Sequence, residues 1–187
     1  MNEYVLFPTI VREYDFSKDP DFHVLADFVS KQKTEPHRLV GWAESSYGVG
    51  RSLFSNFILT GMRQKIQAAV DDYVAELGIA PVKLTNSWFN KLGQQQRVEV
   101  HRHELSVVSG ALYVHADPTS AGLKLFSPLA QLRMYEKTIN HNSINANFIE
   151  MACRTGQLIL FPSWLEHGTD INQTDSRITV SFNTEYC

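Results

Sequence analysis

Residues 156–183 read GQLILFPSWLEHGTDINQTDSRITVSFN. An apolar run, Leu158 to Phe161, leads through a Pro-Ser turn to His167, and Arg177 opens a second β-type run ten positions later. In that second run Arg177, Thr179, Ser181 and Asn183 alternate with Ile178, Val180 and Phe182. Strand side chains point alternately to opposite faces, so one face is polar and the other apolar. Two arrangements satisfy this pattern: an edge strand with a solvated polar face, or a strand whose polar face encloses a ligand.

Composition narrows the classes. With 187 residues and 43% hydrophobic content, the chain is long enough to bury a real core as a single domain, 1–187. Residues 1–80 read as an N-terminal strand with helical support, and 81–187 as a β core. A net charge of −3 carries no clear nucleic-acid signature and no attraction to an anionic membrane surface. No apolar run reaches the length of a membrane span and the N-terminus has no secretory pattern. Cys153 and Cys187 have neither metal-type spacing nor a disulfide framework, which fits a reducing, cytoplasmic setting.

Residues 4–11, YVLFPTIV, read as an edge strand because Pro8 interrupts the run. Asp19-Pro20 reads as an N-cap and first-turn proline ahead of Phe22, Leu25, Ala26 and Val29 at helical spacing. Residues 34–50 are polar and glycine-containing, as in a surface loop. Phe54, Ile58, Met62, Ile66, Ala69, Val70, Tyr73 and Leu77 form one helical stripe ending at Gly78, with Gly61 a possible break. Seven short β-type runs follow, at 84–90, 97–103, 108–115, 123–126, 148–153, 157–161 and 177–183. Many short strands separated by turns indicate a sandwich, jelly roll or barrel. The Asn-rich segment 131–147 reads as a lid or a disordered loop.

RVEVHRH, residues 97–103, alternates so that Arg97, Glu99, His101 and His103 share a face. Two imidazoles two positions apart on a strand can converge on one ion, and the distant His167 offers a third nitrogen. Three protein ligands with open positions is the pattern of a catalytic metal. Taken singly, each histidine reads as an ordinary hydrogen-bonded residue.

SWFN at 87–90, the HxH, SGALYV at 109–114 and the 156–183 stretch together resemble the 2-oxoglutarate and Fe(II)-dependent oxygenases. The closest likeness is to small members whose text runs SW-x-N, H-x-H, SG-x-YY, FPSW-x-x-H and R-x-S-x-SFN. LFPTI and GWAESS near the N-terminus extend it. The resemblance implies a mainly β fold with N-terminal helices, the core being a double-stranded β-helix or jelly roll with the metal in its mouth. It implies Fe(II), 2-oxoglutarate as cosubstrate and O2, with 2-oxoglutarate decarboxylation coupled to substrate oxidation. His101 and His167 are then iron ligands, and His103 falls where most of the superfamily has a carboxylate. Arg177 is expected to grip the distal carboxylate of 2-oxoglutarate, with Thr179 and Tyr113 adding hydroxyls and Asn90 nearby.

Two other carboxylates compete with His103. Glu104 follows it directly and should point to the opposite face. Asp117 forms a literal HxD with His115, although Ala116-Asp117-Pro118 also reads as turn chemistry. His141 and Arg133 read as surface residues, and Trp88 and Trp164 as packing. The cupins share the β-helix, and Gly156, Pro162, His167 and Asn172 approach their second motif. Val107 and Val108 stand where the first cupin motif has its glutamate, and a cupin has no use for Arg177 with Thr179. A β-helix domain that binds without turnover is the third reading. No motif names the primary substrate.

Overall fold

A computed structural model of the chain describes residues 1–2, 4–36, 43–47, 51–133 and 136–187. Strand β1 is Arg12–Asp15, later than the run at 4–11 suggested. Pro8 has no amide proton, and Phe7 adopts a left-handed φ of 58°, so this run cannot sustain a ladder. Its side chains from Tyr4 to Phe7 are exposed.

Helix α1, Pro20–Ser30, starts as expected. The Asp19 carboxylate accepts from the Asp21 amide at 2.9 Å, and Pro20 occupies the first turn. Lys65 reaches the same carboxylate at 2.5 Å and, with the amide bonds, holds it below the usual carboxylate range. A depressed carboxyl adds stability above its unfolded value, roughly pH 3.9, and loses it as pH falls through the lower folded value. Asp19→Ala is therefore expected to cost about 1 kcal/mol at neutral pH, and the difference from wild type should vanish in acid urea titrations.

The long stripe divides. Two 3-10 turns, Leu53–Ser55 and Phe57–Leu59, precede α2, Thr60–Glu76. The Asn56 side chain caps the second turn, and this change of pitch leaves Ile58 half exposed instead of in the core. Gly61 breaks nothing; it lets α2 approach the Asp21 side chain, which a Cβ would meet at 2.6 Å.

The strands are β2 Glu35–Pro36, β3 Glu44–Ser45, β4 Val82–Leu92, β5 Val108–His115, β6 Leu123–Phe126, β7 Phe148–Met151, β8 Gln157–Pro162, β9 His167–Gly168 and β10 Arg177–Tyr186. Seven form a sheet in the order β1-β8-β5-β10-β4-β3-β2, and three form a second, β7-β6-β9. All pairings are antiparallel, giving the jelly-roll arrangement that the resemblance implied. The loop expected at 34–50 contains β2 and β3, which extend the large sheet beside β4. Its residues 37–42 and 48–50, including Gly41 and Trp42 of GWAESS, lie outside the described set.

Strand β10 is central, between β5 and β4, which removes the edge-strand account of its polar face. Its apolar set, Ile178, Val180 and Phe182, joins Leu112, Val114, Leu158 and Leu160 under the two helices. Fully burying each such side chain stabilises by about 1.5–3 kcal/mol. The opposite face packs toward the small sheet, where Tyr113, Ile159 and Phe161 meet Leu123 and Leu125. Gly110 pairs with Phe182 in the β5–β10 register, and a Cβ there would run into the Phe182 ring. Gly110→Ala is expected to destabilise by about 1–3 kcal/mol, read as a lower urea midpoint with unchanged slope.

Candidate metal and cosubstrate site

Residues 97–103 are not a regular strand, contrary to their alternation. They carry an isolated antiparallel bridge, His101 to His167, with reciprocal amide-carbonyl bonds of 2.9 Å. Val100 lies at a bend, and the face switches there. Arg97 and Glu99 pair with each other at 2.8 Å on the surface, whereas Val98, His101 and His103 line a cavity of about 300 Å³ between the sheets.

In that cavity His101, His103 and His167 each offer a ring nitrogen, all within 4.8 Å of one another. His101 comes from the bridged segment and His167 from β9. The His101 Nδ1 lies 2.8 Å from the Glu99 carbonyl, and the His167 Nδ1 lies 2.8 Å from the Leu165 carbonyl. A carbonyl only accepts, so both Nδ1 atoms carry the proton and both Nε2 atoms keep a free lone pair. His103 makes no side-chain hydrogen bond among the described residues; its ring packs against His101, His167 and Trp88.

Burial lowers all three imidazoles. It pushes His167 to about 3 and His103 to about 4, each further depressed by His101; for His101 the Glu99 bond opposes the shift. At neutral pH the three rings are uncharged, the state in which imidazole ligates a metal. Three convergent neutral nitrogens, two already oriented from behind, fit a divalent transition metal with positions left open.

The same cavity is lined by Arg177, Thr179 and Asn90. Arg177 is 3% exposed. Its two terminal nitrogens donate to Thr179 Oγ1 at 2.9 Å and to the Tyr113 hydroxyl at 3.3 Å, while Nε has no hydrogen-bond partner among the described residues. No carboxylate pairs with it among the described residues. Among the described residues the buried guanidinium meets neutral groups, two hydroxyls, the Cys153 thiol and the face of the Tyr113 ring at 4.9 Å, so its charge is undercompensated, and a planar carboxylate matches its fork. Asn90 Oδ1 is also buried and unpartnered. This end of the cavity therefore fits the carboxylate of a small acid.

The other expected residues fall as follows. Tyr113 is fully buried behind Arg177 and does not line the cavity, so its hydroxyl supports the guanidinium. Burial raises its phenol, against the pull of Arg177, and keeps it protonated. Asp117 is exposed in the turn after β5, where its amide bonds Ser120, and it is outside the histidine cluster. The HxD reading is thus corrected in favour of turn chemistry. Glu104 is exposed and pairs with Arg102 at 3.1 Å. His141 is exposed, and Arg133 donates to the Ile144 carbonyl at 2.5 Å; neither lines the cavity. Trp88 is a cavity wall, and Trp164 is half exposed outside it. Sequence reasoning missed Tyr47, which lines the cavity and meets Trp88 edge-on at 5.0 Å. The only signal for it was its place just after GWAESS.

Among the described residues no helix is long and apolar enough to cross a membrane. No curated protein matches the chain. Solved structures do. HygX from Streptomyces hygroscopicus, with nickel, 2-oxoglutarate and hygromycin B bound, superposes with a TM-score of 0.67 at 11% identity, over 95% of this chain and 83% of that one. A Pseudomonas putida prolyl-4-hydroxylase gives 0.62 at 13%, over 97% and 95%. The epimerase SnoN from nogalamycin biosynthesis gives 0.68 at 11%, over 95% and 78%. At these identities the likeness speaks for the jelly-roll fold. The family described as "Putative 2OG-Fe(II) oxygenase" matches residues 86–183, just over half of the chain, including the three histidines and Arg177. That match sets the cupin reading aside: the chain belongs to the 2OG-Fe(II) oxygenases, which use Fe(II), 2-oxoglutarate and O2.

Proposed function

We propose that His101, His103 and His167 are the iron ligands of this oxygenase, and that Arg177 with Thr179 holds the distal carboxylate of 2-oxoglutarate. The observation that carries this reading is one cavity lined by three neutral imidazoles and by a buried guanidinium with no carboxylate partner among the described residues. When bound, Fe(II) would activate O2, the oxidant that couples 2-oxoglutarate decarboxylation to hydroxylation of substrate.

The chain's own residues do the rest. Nδ1–H bonds to the Glu99 and Leu165 carbonyls aim the two Nε2 lone pairs. Arg177 fixes one end of the acid, so its other end is directed to the open positions. Tyr113 holds Arg177 from behind, and Asn90 offers its carboxamide to the acid. Phe161 and Trp88 keep water from the cavity walls. Release of carbon dioxide from 1-labelled 2-oxoglutarate that needs both Fe(II) and an intact Arg177 is the expected result. Release that persists in Arg177→Ala at low 2-oxoglutarate would contradict the assignment.

The described parts of 1–80 pack their helices on the sheet of 81–187, which supports one domain; a single calorimetric transition tests it. Free thiols at Cys153 and Cys187 support a reducing, cytoplasmic location, tested by cell fractionation.

A further inference from the structure

Ser163, in the turn between β8 and β9, touches neither the proposed metal nor the acid, yet it joins the two segments that carry the histidines. Its carbonyl accepts from the His103 amide at 3.0 Å, and its amide donates to the Val107 carbonyl at 3.1 Å. Its hydroxyl is fully buried and donates to Ser106 Oγ at 2.9 Å. That uses its single proton, so at the 2.8 Å contact with Ser109 Oγ it is Ser109 that donates. Ser106 donates onward to the Val108 carbonyl at 3.1 Å and accepts from the Thr184 amide. The result is a directed chain, Ser109 to Ser163 to Ser106 to Val108, in which every hydroxyl is satisfied and each bond polarises the next.

Among the described residues, His103 is the one member of the triad without a hydrogen bond on its ring. Its position is therefore set by the backbone at residues 103–109 and by ring packing. We propose that Ser163 is a positioning residue for the metal centre: its hydroxyl clamps the 103–109 segment to the turn that leads into His167, and so fixes His103 relative to His167. The proposal rests on the ligand set given above. Removing the hydroxyl leaves the buried Ser109 without its acceptor and takes from Ser106 one of its two donors, the Thr184 amide remaining, and the segment relaxes at His103.

The test is titration of the metal-free full chain with Co(II), anaerobically with Fe(II) as a second probe, together with the visible Co(II) spectrum and thermal unfolding. Ser163→Ala is expected to weaken metal binding about 10–100-fold, as loss of a ligand-orienting partner does, and to shift the Co(II) bands. Ser87→Ala is the control. It also removes a buried hydroxyl with two partners, Ser52 Oγ at 2.8 Å and the Phe54 amide at 2.9 Å, but leaves 103–109 and 163–167 untouched. It should lower the unfolding temperature without moving the spectrum. Should Ser163→Ala not fold, Ser109→Ala carries the test, with a smaller loss in the same direction. Metal affinity in Ser163→Ala or Ser109→Ala no lower than in Ser87→Ala overturns the clamp. If His103→Ala loses metal in that same experiment, the ligand set survives and only the clamp fails. Unchanged binding in His103→Ala overturns both.

Discussion

Arg177→Ala is expected to weaken 2-oxoglutarate binding by about 3 kcal/mol, roughly 150-fold, and to leave iron bound. The magnitude is that of truncating one partner of a buried, hydrogen-bonded charge pair. Arg177 is 3% exposed, its Nε has no hydrogen-bond partner among the described residues, and its neighbours Thr179 and Tyr113 are neutral. The cation therefore gains most of its compensation from the ligand. Arg177→Lys keeps the charge and loses the planar fork, so it should fall between the two. Calorimetry with 2-oxoglutarate on the iron-loaded protein separates these cases. Equal loss of iron and of 2-oxoglutarate would assign Arg177 to structure alone.

His167→Ala is expected to abolish metal binding in the micromolar range, with a loss above about 10²-fold that exceeds what an outer partner contributes. His167 is the most buried of the three rings. Its backbone makes both bonds of the bridge to His101, and its Nδ1 is locked on the Leu165 carbonyl. No other histidine, cysteine or carboxylate among the described residues is clustered to replace it. His103→Asp should instead keep the metal, because a carboxylate is a competent ligand and lowers the charge of the site by one. Metal titration followed by tryptophan emission distinguishes the outcomes, since the Trp88 ring lies 5.8 Å from that of His103.

The sequence made β10 legible because its period-two pattern falls in a strand paired on both sides, with register shifts only between Ile178 and Thr179 and between Phe182 and Thr184. The same pattern misled at 97–103. There the alternation of Arg97 and Glu99 with His101 and His103 is a coincidence of two different environments, a solvated ion pair and a cavity wall, joined at the bend at Val100. What orders that segment is its pairing with 163–169, a contact between distant residues that no local period records. Tyr47 stayed hidden for a similar reason: β3 brings it to the cavity by pairing Ser45 with Asn90. Tyr113 was read on the right strand and beside the right partner, but periodicity does not say whether a side chain reaches the cavity or stops behind Arg177. The apolar run at 4–11 looked like a strand by composition, and the backbone at Phe7 and Pro8 decided otherwise.

The central claim is that one cavity presents three histidine ligands to iron and Arg177 to 2-oxoglutarate, so that both bind together. Anaerobic addition of Fe(II) and then 2-oxoglutarate, followed by visible absorption, tests this directly. A weak charge-transfer band that saturates with 2-oxoglutarate in the wild-type protein, needs about 150-fold more of it in Arg177→Ala, and is absent in His167→Ala is the expected result. Wild-type protein that demonstrably holds iron and gives no such band at saturating 2-oxoglutarate would contradict it.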